Sequence, residues 1–192
     1  MALAFSPQSS YLDASNSTDF NDPARTKEKK RYHTKNIISN SMNLEPATFT
    51  PIGVVHCDFG EPADPKTMRN SLCTLEIDEK YQDALEGLEK FRNIFVIYHI
   101  HRALGYDLLV HPMGDESIPK RGLFATRTPR RPNPIGLTVV EMLNIEGNKI
   151  TVTGLDALDK SPILDIKPYE EHFDSPKGLE AEKNPDYRPS EG

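Results

Sequence analysis

Apolar positions in the middle of this 192-residue chain recur mostly with the period of strands. Cys73, Leu75 and Ile77 alternate with polar Thr74 and Glu76, giving one apolar and one wet face. Residues 48–56 (TFTPIGVVH), 91–100 (FRNIFVIYHI) and 106–111 (YDLLVH) read as further strands. Residues 122–126 (GLFAT) lead into a proline-rich loop. Residues 137–145 and 149–155 are joined by the hairpin turn Glu146-Gly147-Asn148, and 162–166 (PILDI) closes the series. The period switches once. Asp78 suits a helix N-cap, and Tyr81, Ala84, Leu85 and Leu88 follow at helical spacing. Seven short strands with one or two short helices predict a mainly β fold, a small single-sheet antiparallel β-barrel. No glycine-rich fingerprint follows a strand, which excludes a doubly wound nucleotide-binding sheet.

Periodicity fails at both ends. Residues 1–46 are rich in Ser, Asn, Asp, Thr and Lys and predict a disordered N-terminal tail. Its run Lys27-Glu28-Lys29-Lys30-Arg31 reads as a solvated stretch, with a basic arm as the alternative. Residues 170–192 hold three prolines and seven acids and predict an acidic C-terminal tail, leaving 47–169 as the barrel domain. The net charge of −6 argues against a general nucleic-acid binder. Yet five basic residues and no acid lie between Lys120 and Arg131, enough for one focused contact. Two cysteines, Cys57 and Cys73, make no disulfide framework and fit a reducing cytoplasm. No apolar run approaches the ~20 residues of a membrane span, and the N-terminus lacks a secretory pattern. Acids among the first 46 residues also argue against a transit peptide. His99, His101, His56, Cys57 and His111 match no zinc spacing, so no metal site is expected.

The densest chemistry lies in Arg127-Thr128-Pro129-Arg130-Arg131-Pro132-Asn133-Pro134-Ile135-Gly136. Proline fixes φ and donates no backbone hydrogen bond, so this is a stiff loop holding guanidinium groups in set directions. By composition alone the arginines suit either a solvated face or an anion receptor.

Three blocks carry a family resemblance: Phe124-Ala125-Thr126-Arg127, Arg131-Pro132-Asn133-Pro134-Ile135-Gly136-Leu137, and Leu155-Asp156-Ala157-Leu158-Asp159 running on to Asp165-Ile166-Lys167-Pro168-Tyr169. With Pro51-Ile52-Gly53-Val54-Val55, Gly87-Leu88-Glu89-Lys90-Phe91 and His101-Arg102 upstream, the chain resembles the TsaA-like, or TrmO, family over about residues 47–169. The resemblance implies a β-barrel methyltransferase, usually a homodimer, that uses S-adenosyl-L-methionine. Its acceptor would be the exocyclic nitrogen of N(6)-threonylcarbamoyladenosine in tRNA. Carried over by motif, the cofactor-binding residues are His101, Arg102, Arg127, Leu137, Thr153, Gly154, Leu155 and Asp156. The family's Pro-Arg-Gln motif corresponds here to Pro65, Lys66 and Thr67, which exchanges a planar fork for a point charge. Its Asp-Gly-Thr-Pro turn is Asp159-Lys160-Ser161-Pro162, without the glycine.

Methyl transfer from a sulfonium is a direct displacement, so alignment matters most and no covalent nucleophile is needed. Asp156 suits the cofactor's ammonium or ribose hydroxyls, and Arg127 its carboxylate. Arg130, Arg131, Asn133 and Lys167 are the substrate-facing set, directed at the threonyl carboxylate and phosphates. The sequence names no general base. Asp159 reads better as a turn brace than as a site residue. Two alternatives stand: a barrel that binds cofactor or RNA without catalysis, and methyl transfer to another small molecule.

Overall fold

The computed structural model describes residues 44–175. Six antiparallel strands close into a barrel in the order β1-β2-β7-β6-β3-β8. They are β1 (Gly53–His56), β2 (Leu72–Ile77), β3 (Asn93–His99), β6 (Ile135–Glu146), β7 (Lys149–Thr153) and β8 (Pro162–Pro168). A two-stranded ribbon, β4 (Leu109–Val110) with β5 (Arg121–Gly122), sits in the long β3–β6 connection.

Alternation along each strand fills the barrel. Val55, Cys73, Leu75, Ile77, Ile94, Val96, Val140, Ile150, Val152 and Ile163 are all buried. Leu155 and Ala157, just past β7, complete the core. Strand β6 turns Gly136, Thr138 and Val140 inward and leaves Ile135, Leu137 and Val139 exposed. Gly53 is required where β1 meets β2, because a Cβ there would fall 2.3 Å from the Glu76 carbonyl oxygen.

The expected strand over 106–111 shrinks to Leu109–Val110. Its apolar residues have no core to enter: Leu108 and Leu109 are exposed, so hydrophobic content was mistaken for burial. Residues 48–52 precede the first strand rather than extend it. Asp78 does cap a helical turn, accepting the Lys80 N–H at 3.1 Å, but Glu79–Leu85 is a 3-10 segment. Helix α1 (Pro65–Arg69) was not anticipated. Its signal was present in Asp64-Pro65: the Asp64 carboxylate accepts the Thr67 N–H at 2.8 Å, and proline suits the first helical turn. The expected tails lie almost wholly outside the described residues, as does the 27–31 basic run. Of them, Glu171–Asp174 forms one helical turn, α2.

Lys160 has φ 66°, in the left-handed region that favours glycine. That conformation costs a side chain about 1 kcal/mol. Lys160→Gly should therefore raise the urea midpoint slightly, by the equivalent of about 0.5 kcal/mol. The gain is cut by losing the 3.0 Å contact from Lys160 Nζ to His56 Nδ1. An unchanged or lower midpoint would mean that this contact outweighs the strain.

Candidate functional site

Strands β1, β3 and β7 finish at the barrel end where β2, β6 and β8 begin. Nearly every residue expected in the site lies on a connection at that end. Pro65, Lys66 and Thr67 lie between β1 and β2; His101 and Arg102 follow β3. The arginine loop runs into β6, and Thr153-Gly154-Leu155-Asp156 leaves β7. Lys167 does not join them. It sits toward the other end of β8, beside Phe95 on β3, and pairs with Asp165 at 2.7 Å. An open cleft of about 390 Å³ lined by Pro51, Glu76, Asp78, Glu79 and Asn148 also lies toward that opposite end, away from the gathered motifs.

Asp156 is the hub of the motif-bearing end. Its Oδ1 accepts from the Thr138 hydroxyl at 2.7 Å and the Tyr98 hydroxyl at 3.1 Å, both rising from the barrel interior. Its Oδ2 faces Arg69 Nε at 3.5 Å. Burial, reinforced by the Asp156 charge, pushes the Tyr98 phenol well above its ordinary pKa, so it remains a donor. Helix α1 is stitched to β7: the Arg69 carbonyl accepts the Gly154 N–H at 2.9 Å and lies 3.4 Å from the Thr153 hydroxyl. Gly154, at φ 96°, turns the chain off the strand. Sequence reasoning found Asp156 but missed Arg69, Tyr98 and Thr138. Tyr98 and Thr138 were legible as inward positions of alternating strands; Arg69 required α1.

The arginine loop is braced by its own guanidinium groups. Pro129, Pro132 and Pro134 contribute no N–H, so carbonyls here need donors from side chains. Arg131 Nη1 donates to the Thr126 carbonyl at 3.0 Å, and its guanidinium lies 5.7 Å from the Phe124 ring centre. Arg127 Nη2 donates to the Leu137 carbonyl at 2.7 Å. Arg130 Nε donates to the Leu104 carbonyl at 3.2 Å, and the same guanidinium pairs with Asp107 at 3.6 Å. Burial does not follow the expected assignment of Arg127 to the cofactor and of Arg130 with Arg131 to the substrate. Arg131 is the half-buried brace, whereas Arg127 and Arg130 are exposed. The Asn133 carbonyl accepts the Ile135 N–H at 2.8 Å, and the Pro134 carbonyl accepts the Ile100 N–H at 2.7 Å. Those bonds anchor the loop to the end of β3.

His101 Nδ1 lies 3.3 Å from the Ser161 hydroxyl, and Arg102 pairs with Glu61. Partial burial and the Arg102 charge hold the His101 imidazole below its ordinary pKa, hence neutral at pH 7. Thr67 gives both its N–H and its hydroxyl to Asp64, while Lys66 is exposed. Leu155 is fully buried and can offer a ligand only its backbone. Asp159 braces its turn as expected, accepting the Cys57 N–H at 3.2 Å. Cys73 is buried, and burial beside Cys57 pushes its thiol up to about 12. Among the described residues no group of three His, Cys, Asp or Glu could hold a metal ion. No helix among them is long and apolar enough to cross a membrane.

A closed six-stranded antiparallel barrel with its polar motifs collected on the loops of one end defines the class. The chain belongs to the tRNA-methyltransferase O N-terminal domain family, whose model matches residues 54–175. An S-adenosyl-L-methionine-binding protein of Archaeoglobus fulgidus is 42% identical over 136 residues, covering 69% of this chain and 96% of that one. The tRNA (adenine(37)-N6)-methyltransferase of Mus musculus is 35% identical over 139 residues, 67% of this chain but 32% of its own length. A crystal structure of TrmO superposes with a TM-score of 0.57 at 32% identity, over 70% of this chain. The chain spans 60% of the length of that crystallised protein.

Proposed function

We propose that this chain transfers a methyl group from S-adenosyl-L-methionine to the exocyclic nitrogen of N(6)-threonylcarbamoyladenosine in tRNA, acting in the cytoplasm as a homodimer. The observation that carries this reading is the gathering of the β1–β2, β3–β6 and β7–β8 connections at one barrel end, where the Asp156 carboxylate faces Arg69. The names of the Archaeoglobus and mouse relatives support the cofactor and the adenine N6 acceptor. The residues present suit that cofactor. Asp156 and Arg69 offer opposite charges side by side, and exposed Leu137 and Phe124 offer apolar surface.

When bound, the cofactor supplies an electrophilic methyl on sulfur, open to direct displacement. The chain's own work is orientation and shielding. Asp156 and Thr153-Gly154-Leu155 hold the cofactor, while Arg130 on the exposed rim takes anionic parts of the acceptor. The attacking nitrogen sheds a proton that the adjoining carbonyl has already made labile, so water suffices to receive it.

One observation favours the non-catalytic reading as a second hypothesis. Thr67, standing where the family carries glutamine, spends both its donors on capping α1. Nucleoside mass spectrometry decides between them. Incubation of protein, cofactor and modified tRNA should add one methyl to N(6)-threonylcarbamoyladenosine. Cofactor binding by calorimetry without any methylated nucleoside would overturn catalysis and leave the binding module.

A further inference from the structure

We infer that Arg69 and Asp156 form a receptor for an α-amino-acid zwitterion, the methionyl end of the methyl donor. Arg69 takes the carboxylate and Asp156 Oδ2 the ammonium. This assignment rests on the proposed cofactor and names residues for a part of it that the sequence motifs leave to Arg127.

Four observations lead there. The Arg69–Asp156 pair is loose, one Nε contact at 3.5 Å, whereas an arginine committed to a carboxylate closes both prongs of its fork. Its side chains are 49% and 34% exposed, so a ligand can reach between them. Asp156 Oδ1 already serves two hydroxyls, which fixes the carboxylate plane and leaves Oδ2 as the outward oxygen. Finally, three other arginines of this end are held by closer contacts. Arg102 is on Glu61, Arg127 on the Leu137 carbonyl at 2.7 Å and Arg131 on the Thr126 carbonyl at 3.0 Å.

A zwitterion presents its carboxylate and ammonium on one carbon. It replaces each partner of the Arg69–Asp156 pair with an equal charge, so neither side chain is left uncompensated.

Calorimetry on the full chain with three adenosyl ligands tests this without relying on turnover. S-adenosylhomocysteine carries the whole zwitterion, its decarboxylated analogue keeps only the ammonium, and methylthioadenosine has neither. Arg69→Ala should weaken S-adenosylhomocysteine at least about tenfold, the affinity of roughly one charge-assisted contact. The other two ligands should bind as they do to the wild type, which also shows that the variant is folded. Equal weakening of all three ligands would overturn the receptor in favour of a structural role for Arg69. So would unchanged S-adenosylhomocysteine binding with a raised KM for tRNA, because the carboxylate recognised would then be the acceptor's. If the wild type binds none of the three, the methyl-donor reading itself fails and the receptor with it.

Discussion

Asp156→Ala should lower stability by about 3 kcal/mol and abolish measurable cofactor binding. The stability loss follows from what the carboxylate holds below it. Tyr98 and Thr138 are 5% and 3% exposed, and both direct their hydroxyls to the same oxygen. An alanine leaves two buried donors without an acceptor, at about 1–3 kcal/mol each, offset where water enters from the barrel mouth. Binding is lost because the negative charge opposite Arg69 goes with it. Asp156→Asn separates the two effects. The amide oxygen can still accept from Tyr98 and Thr138, so most of the stability should return. The amide nitrogen, now turned toward Arg69, is a donor facing a cation, so binding should stay weak. Urea unfolding and calorimetry on both variants supply the check. Wild-type affinity in the asparagine variant would show that Asp156 acts as a scaffold and not as a charge.

The fold was legible where burial and alternation coincide. Cys73, Leu75 and Ile77 predicted β2 because their side chains do fill the barrel. The run over 106–111 misled because composition alone does not tell a core strand from an exposed apolar loop. For the site, the motif segments were visible in sequence, but their convergence was not. Antiparallel topology puts the β1–β2, β3–β6 and β7–β8 connections on one end, and only strand order reveals that Lys167 belongs toward the other. The inversion in the arginine loop has a different cause. Three prolines made a rigid anion receptor plausible, yet the same prolines removed the N–H groups that would otherwise satisfy the loop carbonyls. Arg131 was drawn inward to replace them. Arg69 was unreadable for a third reason. Five residues of helix are too few to show a period, so Asp64-Pro65 marked where α1 starts but not the face it turns toward Asp156.

Gly136→Ala should be nearly as damaging as the loss of Asp156, although it adds a single methyl group. Gly136 stands opposite Tyr98 in the β3–β6 register. An added Cβ would meet the ring at 2.3 Å from Cζ and 2.6 Å from Cε1 and Cε2. Those three atoms lie at the hydroxyl end of the ring, so a small torsion does not clear the overlap. The ring has little room to retreat, being buried and tied by its hydroxyl to Asp156. Overpacking of this kind costs about 1–3 kcal/mol, and loss of the Tyr98–Asp156 bond adds about 1 kcal/mol. A domain of this size should then melt roughly 10 °C lower. Gly60→Ala is the matched control, since nothing among the described residues lies within 4 Å of its added Cβ and its melting point should not move. In a Tyr98→Leu background Gly136→Ala should cost much less than in the wild type, because the ring it would strike is gone. Equal penalties in both backgrounds would place the requirement for glycine in the backbone and not in the ring. If the ring is responsible, Gly136→Ala also frees the Asp156 carboxylate from one of its two fixed donors. Cofactor affinity should then fall more than in a core variant of equal stability loss such as Ile150→Ala, which is buried in β7 beside the β6–β7 turn at the opposite barrel end.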